Sequence, residues 1–167
     1  VRLAIASSLQ RLPVSYRGEL ANALASRPED INDHNLPMLV WAGVNPLVEN
    51  DPSGLIQVAR STKWPHLRTW IARTITERFT EHPLAFDTLL ELAGDQSGYA
   101  NSLLAGMERA VLGINGFTKP AKWDVLRSKL GRNPTVLKVS VIFGDEQATE
   151  QMEKLVLNAQ ADPFIRR

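Results

Sequence analysis

The stretch Trp64-Pro65-His66-Leu67-Arg68-Thr69-Trp70-Ile71-Ala72-Arg73-Thr74-Ile75 decides the fold. Its apolar residues return every three or four positions, Leu67 to Ile71 to Ile75 with Ala72 alongside, which is the spacing of one face of an α-helix. The register recurs along the chain. Arg2 is followed by Ile5-Ala6 and Leu9, Pro37 by Val40-Trp41 and Val44, Asn101 by Leu104-Ala105 and Lys138 by Val141-Ile142, while Arg166 closes the series. Positions 2, 37, 68, 101, 138 and 166 lie 35, 31, 33, 37 and 28 residues apart, the length of one helix pair. An apolar residue precedes each register position: Val1, Leu36, Leu67, Ala100, Leu137 and Ile165.

Working outward, first helices are predicted between these second helices at about Ser15 to Ser26, Pro52 to Ser61, Leu84 to Ala93, Pro120 to Leu130 and Asp145 to Ala159. In the last of them Ala148, Met152, Leu155, Val156 and Ala159 form one stripe, with Glu146, Gln147, Glu150 and Glu153 opposite. No segment shows the strict alternation of a half-buried strand, so the expected class is all-α. Asp51-Pro52, Asn133-Pro134 and Asp162-Pro163 read as cap and first-turn pairs, because the side-chain oxygen takes an orphan N–H and proline has none to lose. Gly94, Gly113, Gly131 and Gly144 fall where helices should end. Pro46 is expected to end or kink the helix through Trp41 and to push Asn45 out of the helical region.

A unit of Asp-x-x-apolar-Arg-x-x-Ile-Ala looks like the second helix of a HEAT-type repeat. Residues 1–167 then read as a single domain, an α-α superhelix (HEAT/armadillo-like solenoid) of about five helix pairs. The chain opens at Val1-Arg2 inside a second helix and stops where another begins, around Asp162-Pro163-Phe164-Ile165-Arg166. The chain is therefore expected to be a segment of a longer polypeptide.

The stretch from Asp33 through Pro37, Trp41 and Gly43 to Leu47, then Leu67-Arg68 to Arg73, Leu103 to Gly106-Met107 and Ile142 to Gly144-Asp145, resembles the HEAT-like segment of very large planctomycete and verrucomicrobial proteins. Those are described as membrane-bound dehydrogenases or PVC-type haem-binding proteins. The resemblance implies export to the periplasm or cell envelope, a β-propeller before this segment and a c-type cytochrome domain after it. It carries no haem ligand onto this chain, which has no cysteine.

Composition narrows the rest. Lys+Arg 19 against Asp+Glu 18 leaves a net charge of +1, whereas a nucleic-acid binder is expected to carry a basic stripe. A lack of cysteine removes thiol catalysis and Cys-ligated zinc from this segment. The hydroxyl groups have no nucleophile-elbow context, and Gly113-Ile-Asn-Gly116 lacks the strand and lysine of a phosphate loop. His34, His66 and His82 each lie near a proline at a helix start, and Asp33-His34 and Glu81-His82 are sequence neighbours that point apart on a helix. No catalytic, cofactor-binding or metal-ligating residues are therefore expected.

Two features remain. Arg2, Arg68, Lys138 and Arg166 share one column, which fits either a ladder of cations packed over the neighbouring unit and paired with acids such as Asp33 or Asp162, or a ridge for an anionic partner. The basic run Arg60, Lys63, Arg68, Arg73 and Arg78, with Trp64 and Trp70 interleaved, could suit single-stranded nucleic acid, although Glu77 and Glu81 favour a solvated face. Trp41, Trp70 and Trp123 are expected in the core. With Ile5, Leu9, Val40, Val44, Ile71, Ile75 and Val141 set inward, the opposite side of the second helices is also apolar. Met38, Leu39, Trp70 and Leu103 form a candidate docking strip, the alternative being that packing within the chain covers them. The expected role is a non-catalytic scaffold spacing or docking the domains of a larger exported redox-type protein. The alternatives are a nucleic-acid-binding HEAT protein or an independent peptide-binding adaptor.

Overall fold

A computed structural model describes residues 1–95, 97–112, 118–131 and 133–157. Among them every regular element is helical. The chain divides into two compact units, Val1–Ala110 and the part from Val111 onward, where the sequence suggests one domain.

The first unit contains α1 (Arg2–Ser8), α2 (Val14–Ala25), α3 (Leu36–Val44), α4 (Leu47–Asn50), α5 (Pro52–Ser61), α6 (Pro65–Glu77), α7 (Pro83–Asp95) and α8 (Ser97–Val111, to its penultimate residue). Its helices pack in two rows. In one, α1 lies on α3 and α3 on α6; in the other, α2 lies on α5 and α5 on α7. The contacts of α2 with α3 and of α5 with α6 join the rows. Leu67, Ile71 and Ile75 are fully buried, as are Val40, Val44 and Leu9, and each such side chain contributes about 1.5–3 kcal/mol of transfer free energy.

Two glycines set how closely the second helices approach. A Cβ on Gly43 of α3 would sit 2.6 Å from Leu9 Cβ. One on Gly106 of α8 would sit 2.3 Å from the Thr69 carbonyl oxygen and 2.9 Å from the Arg73 nitrogen. The Thr69 hydroxyl donates to the Ser102 carbonyl at 3.0 Å across the same crossing.

Helix ends follow local chemistry. Asp51 caps α5 by accepting from the Gly54 N–H at 2.9 Å, and Asn133 caps the helix Pro134–Ile142 by accepting from the Thr135 N–H at 2.9 Å. Asp33 accepts from the Asn35 and Leu36 N–H groups, both at 2.8 Å, at the entry to α3; these bonds hold its carboxyl below the usual range. At Pro46 the helix through Trp41 stops at Val44 and restarts at Leu47. Asn45, however, keeps helical angles of φ −50° and ψ −41°. The interruption therefore comes from the missing Pro46 N–H and not from a displaced Asn45.

The second unit holds α9 (Trp123–Leu130), α10 (Pro134–Ile142) and α11 (Glu146–Leu157). Trp123 is its largest fully buried side chain. The indole N–H donates to Ser140 Oγ at 2.9 Å, and its ring meets Phe143 edge-on, 4.9 Å between centroids. That contact turns Val136, Val139 and Ser140 of α10 inward and leaves Val141 half-buried. The register expected inward at Val141 is thus displaced. The α10–α11 turn is closed by Gly144 at φ +75°, with its N–H on the Val141 carbonyl at 2.9 Å and the Asp145 N–H on the Ser140 carbonyl at 3.0 Å. This satisfies carbonyls that the helix end would orphan, through a conformation glycine adopts without penalty. Asp145 then caps α11 by accepting from the Ala148 N–H at 2.9 Å.

Gly131 follows the last residue of α9, and Gly94 lies one residue inside the end of α7. Gly113, Asp162-Pro163, Ile165 and Arg166 lie outside the described residues.

Candidate interaction surface

The cation column does not behave as one ladder. Arg68 is 4% exposed, and its partners are not acids. Its Nε donates to the Ala59 carbonyl at 2.9 Å and its Nη2 to the Thr62 carbonyl, so it closes the C-terminal end of α5. The guanidinium also lies 3.9 Å from the centroid of the Tyr99 ring. Burial lowers its pKa from the ordinary arginine range. Arg2, nearly half exposed, pairs with Asp30 at 2.7 Å, and the Asp30 hydrogen bond and charge raise its pKa. Asp33, the acid expected to pair with this column, is committed to capping α3. Lys138 is half-buried on α10.

A second carbonyl-binding arginine, Arg17, has no mark in the repeat register. Its Nε and Nη2 donate to the Leu12 and Gln10 carbonyls, both at 2.9 Å, and its Nη1 to the Gly43 carbonyl at 3.2 Å. Because these acceptors are main-chain groups, the sequence held no signal for the contact.

The docking strip is corrected at one end. Leu103 is fully buried, because the crossing at Gly106 draws α8 onto α6 and covers that face. Met38 is 55% exposed, while Leu39 and Trp70 are half-buried. Trp41, expected in the core, is also half-buried. It meets Trp70 with ring centroids 6.2 Å apart, and the His66 ring lies 6.4 Å from that of Trp70. The outcome is an aromatic ridge across α3 and α6 made by Met38, Trp41, His66 and Trp70. Of the remaining tryptophans, Trp123 is core as expected, and Trp64 is fully buried with its indole N–H on the Arg27 carbonyl at 2.7 Å.

The basic run is dispersed by the fold. Arg68 is buried, Arg73 pairs with Glu77 at 2.7 Å and Arg78 with Glu49 at 2.6 Å. With Trp64 in the core, no alternation of exposed cations and aromatics survives in this stretch. In the second unit an open cleft of about 670 Å³ is lined by Lys119, Asp124, Arg127 and Asp145 among others. Its cations already face acids, Lys119 with Asp124 at 3.0 Å and Arg127 with Asp145.

His34 and His66 are exposed. His82 is more covered and faces Glu49, a residue distant in sequence that no local pattern connects to it. Among the described residues no helix is long and apolar enough to cross a membrane.

No family model matches this chain, and neither a curated protein nor a solved structure does.

Proposed function

We propose that the chain is a non-catalytic helical-repeat module of the HEAT/armadillo kind, which docks a protein partner through its second helices. In the setting implied by the family resemblance, it spaces or docks the propeller and c-type cytochrome domains of a larger exported redox-type protein. The single observation that carries this reading is the ridge of Met38, Trp41, His66 and Trp70, large apolar and aromatic side chains left partly in solvent by a well-packed helix pair. Aromatic residues and methionine are enriched at the centres of protein interfaces, where they bury much area with few rotors. Support for the repeat comes from the first unit, where second helices pack on second helices and first on first.

The test is a titration of the chain with the cytochrome domain, followed by tryptophan fluorescence. Wild type should show a saturable change, and the Met38→Ser/Trp70→Ser double variant should lose it while keeping its helical circular dichroism. Association that survives the double substitution would remove the ridge from the interface. A salt-dependent complex with duplex DNA in its place would favour the nucleic-acid alternative.

A further inference from the structure

Apart from the ridge, the first unit gathers a mixed-donor cluster from separate places in the sequence. Glu49 lies in the short α4, and Glu81 and His82 lie in the turn between α6 and α7. One ligand atom from each stands within 4.8 Å of the others. His82 Nε2 is 3.7 Å from Glu49 Oε2, beyond hydrogen-bonding distance. That nitrogen is sealed from solvent and has no hydrogen-bond partner, a condition that costs free energy in a native fold unless something satisfies it.

The obvious satisfier would be Glu49 itself, in an ion pair with a protonated imidazole. Glu49 is already matched, because its Oε1 is held by Arg78 Nε at 2.6 Å. With Glu81 added, two carboxylates stand beside the imidazole, and Arg78 holds the one from Glu49. We propose that Glu49, Glu81 and His82 bind a divalent transition-metal ion of the zinc class, with water completing its shell and Arg78 orienting the Glu49 carboxylate.

The donor set chooses the class. Calcium and magnesium take oxygen donors, whereas an imidazole beside carboxylates suits zinc and its neighbours. Bonds of about 2.0–2.2 Å in a tetrahedral shell place ligand atoms roughly 3.3 Å apart. The 3.7 Å separation of His82 and Glu49 is therefore a few tenths of an ångström from a bound geometry. Glu81 needs a longer swing, which its exposed side chain permits. A bound ion would tie the segment that restarts after Pro46 to the α6–α7 turn.

The test uses the whole purified chain, free of any histidine tag, titrated with zinc chloride by calorimetry and by thermal melting. Wild type should bind one zinc ion per chain and melt at a higher temperature with zinc than without. His82→Asn and Glu81→Gln should each weaken binding by at least about tenfold. Cobalt(II) in place of zinc should give a visible ligand-field absorption that His82→Asn removes. Both substituted residues lie in a turn; should His82→Asn lose its helical signal, the exposed Glu81→Gln still decides the matter. An absence of saturable zinc binding to wild type, or binding that both variants leave unchanged, overturns the site and leaves His82 as an ion-pair partner of Glu49.

Discussion

The two fully buried tryptophans with bonded indole groups, Trp64 in the first unit and Trp123 in the second, solve one problem with opposite partners. Trp64 donates to a main-chain carbonyl, that of Arg27; Trp123 donates to a side chain, the Ser140 hydroxyl. Buried Arg68 and half-buried Arg127 divide in the same way. Arg68 ends on the Ala59 and Thr62 carbonyls, and Arg127 ends on the Asp145 carboxylate. The lesson is one of vulnerability. Main-chain acceptors can be neither titrated nor substituted away, so the first unit depends on where its backbone lies, while the second depends on the identity of particular side chains.

The largest effect should come from moving backbone in the first unit. A Cβ at Gly106 would press on the Thr69 carbonyl and the Arg73 nitrogen, atoms that cannot rotate away. Gly106→Val is therefore expected to cost about 3 kcal/mol or more, read by urea unfolding. Gly18 in α2 supplies the control, since its Cβ would find only Leu47 Cδ1 at 3.8 Å. Gly18→Ala should stabilise by about 0.5–1 kcal/mol through helix propensity. Equal losses from both would show that close approach is not what Gly106 provides.

A smaller change should suffice in the second unit. Ser140→Ala removes two features at once, the acceptor for Trp123 and the donor to the Val136 carbonyl at 2.8 Å, while taking away no more bulk than one oxygen. The stranded indole N–H should cost about 1–3 kcal/mol, measured by chemical unfolding. No side-chain substitution can remove the acceptor of Trp64 in the same way. A neutral Ser140→Ala would break the comparison at its clearest point.

Acid should act next on the Asp145 pair of the second unit. Burial tends to raise the Asp145 carboxyl, but the Ala148 N–H and the Arg127 guanidinium outweigh it and hold the pKa below the usual carboxylate range. A carboxyl whose folded pKa lies below its unfolded value contributes stability above about pH 4, and that contribution is lost as pH falls through the folded value. Amide protection in α9, α10 and α11 should accordingly hold down to about pH 4 and drop as the pH falls below it. Asparagine is also a good helix cap, so Asp145→Asn keeps the Ala148 bond and isolates the charge. That variant should lose about 0.5–2 kcal/mol near neutrality and show a flatter acid profile. A profile as steep as wild type would assign the acid loss elsewhere.

How much of this was legible in the sequence depends on who the partner is. The helices, the break at Pro46 and the caps at Asp51 and Asn133 are local, and three- or four-residue spacing reveals them. The roles of Arg17 and Arg68 lie in main-chain acceptors, which every residue has and none advertises. Leu103 and Val141 were misplaced because face assignment assumed one rotation for all second helices. The crossing at Gly106 and the Trp123–Phe143 contact each set a different one. The ridge was half visible: Met38 and Trp70 stood out by position, but the packing that makes Leu103 core and leaves Trp41 half-buried is tertiary. Glu49 and His82 lie 33 positions apart, and no short pattern joins them.

The smallest effects should come from exposed ion pairs, and they test whether burial is what distinguishes the arginines. Arg73 meets Glu77 four residues later on α6 at 2.7 Å, with 53% and 35% of the two side chains exposed. The cation precedes the acid, which is the less favourable order relative to the helix dipole. Such a pair is worth about 0.2–0.5 kcal/mol and is screened by salt. Glu77→Gln should therefore shift the urea midpoint barely, and the shift should vanish at high ionic strength. Lys119 and Asp124 in the second unit, equally open to solvent, should behave alike under Asp124→Asn. If Glu77→Gln instead cost as much as Ser140→Ala and did so at every salt concentration, exposure would not be what makes these pairs weak, and the contrast between buried main-chain and side-chain partners would lose its footing.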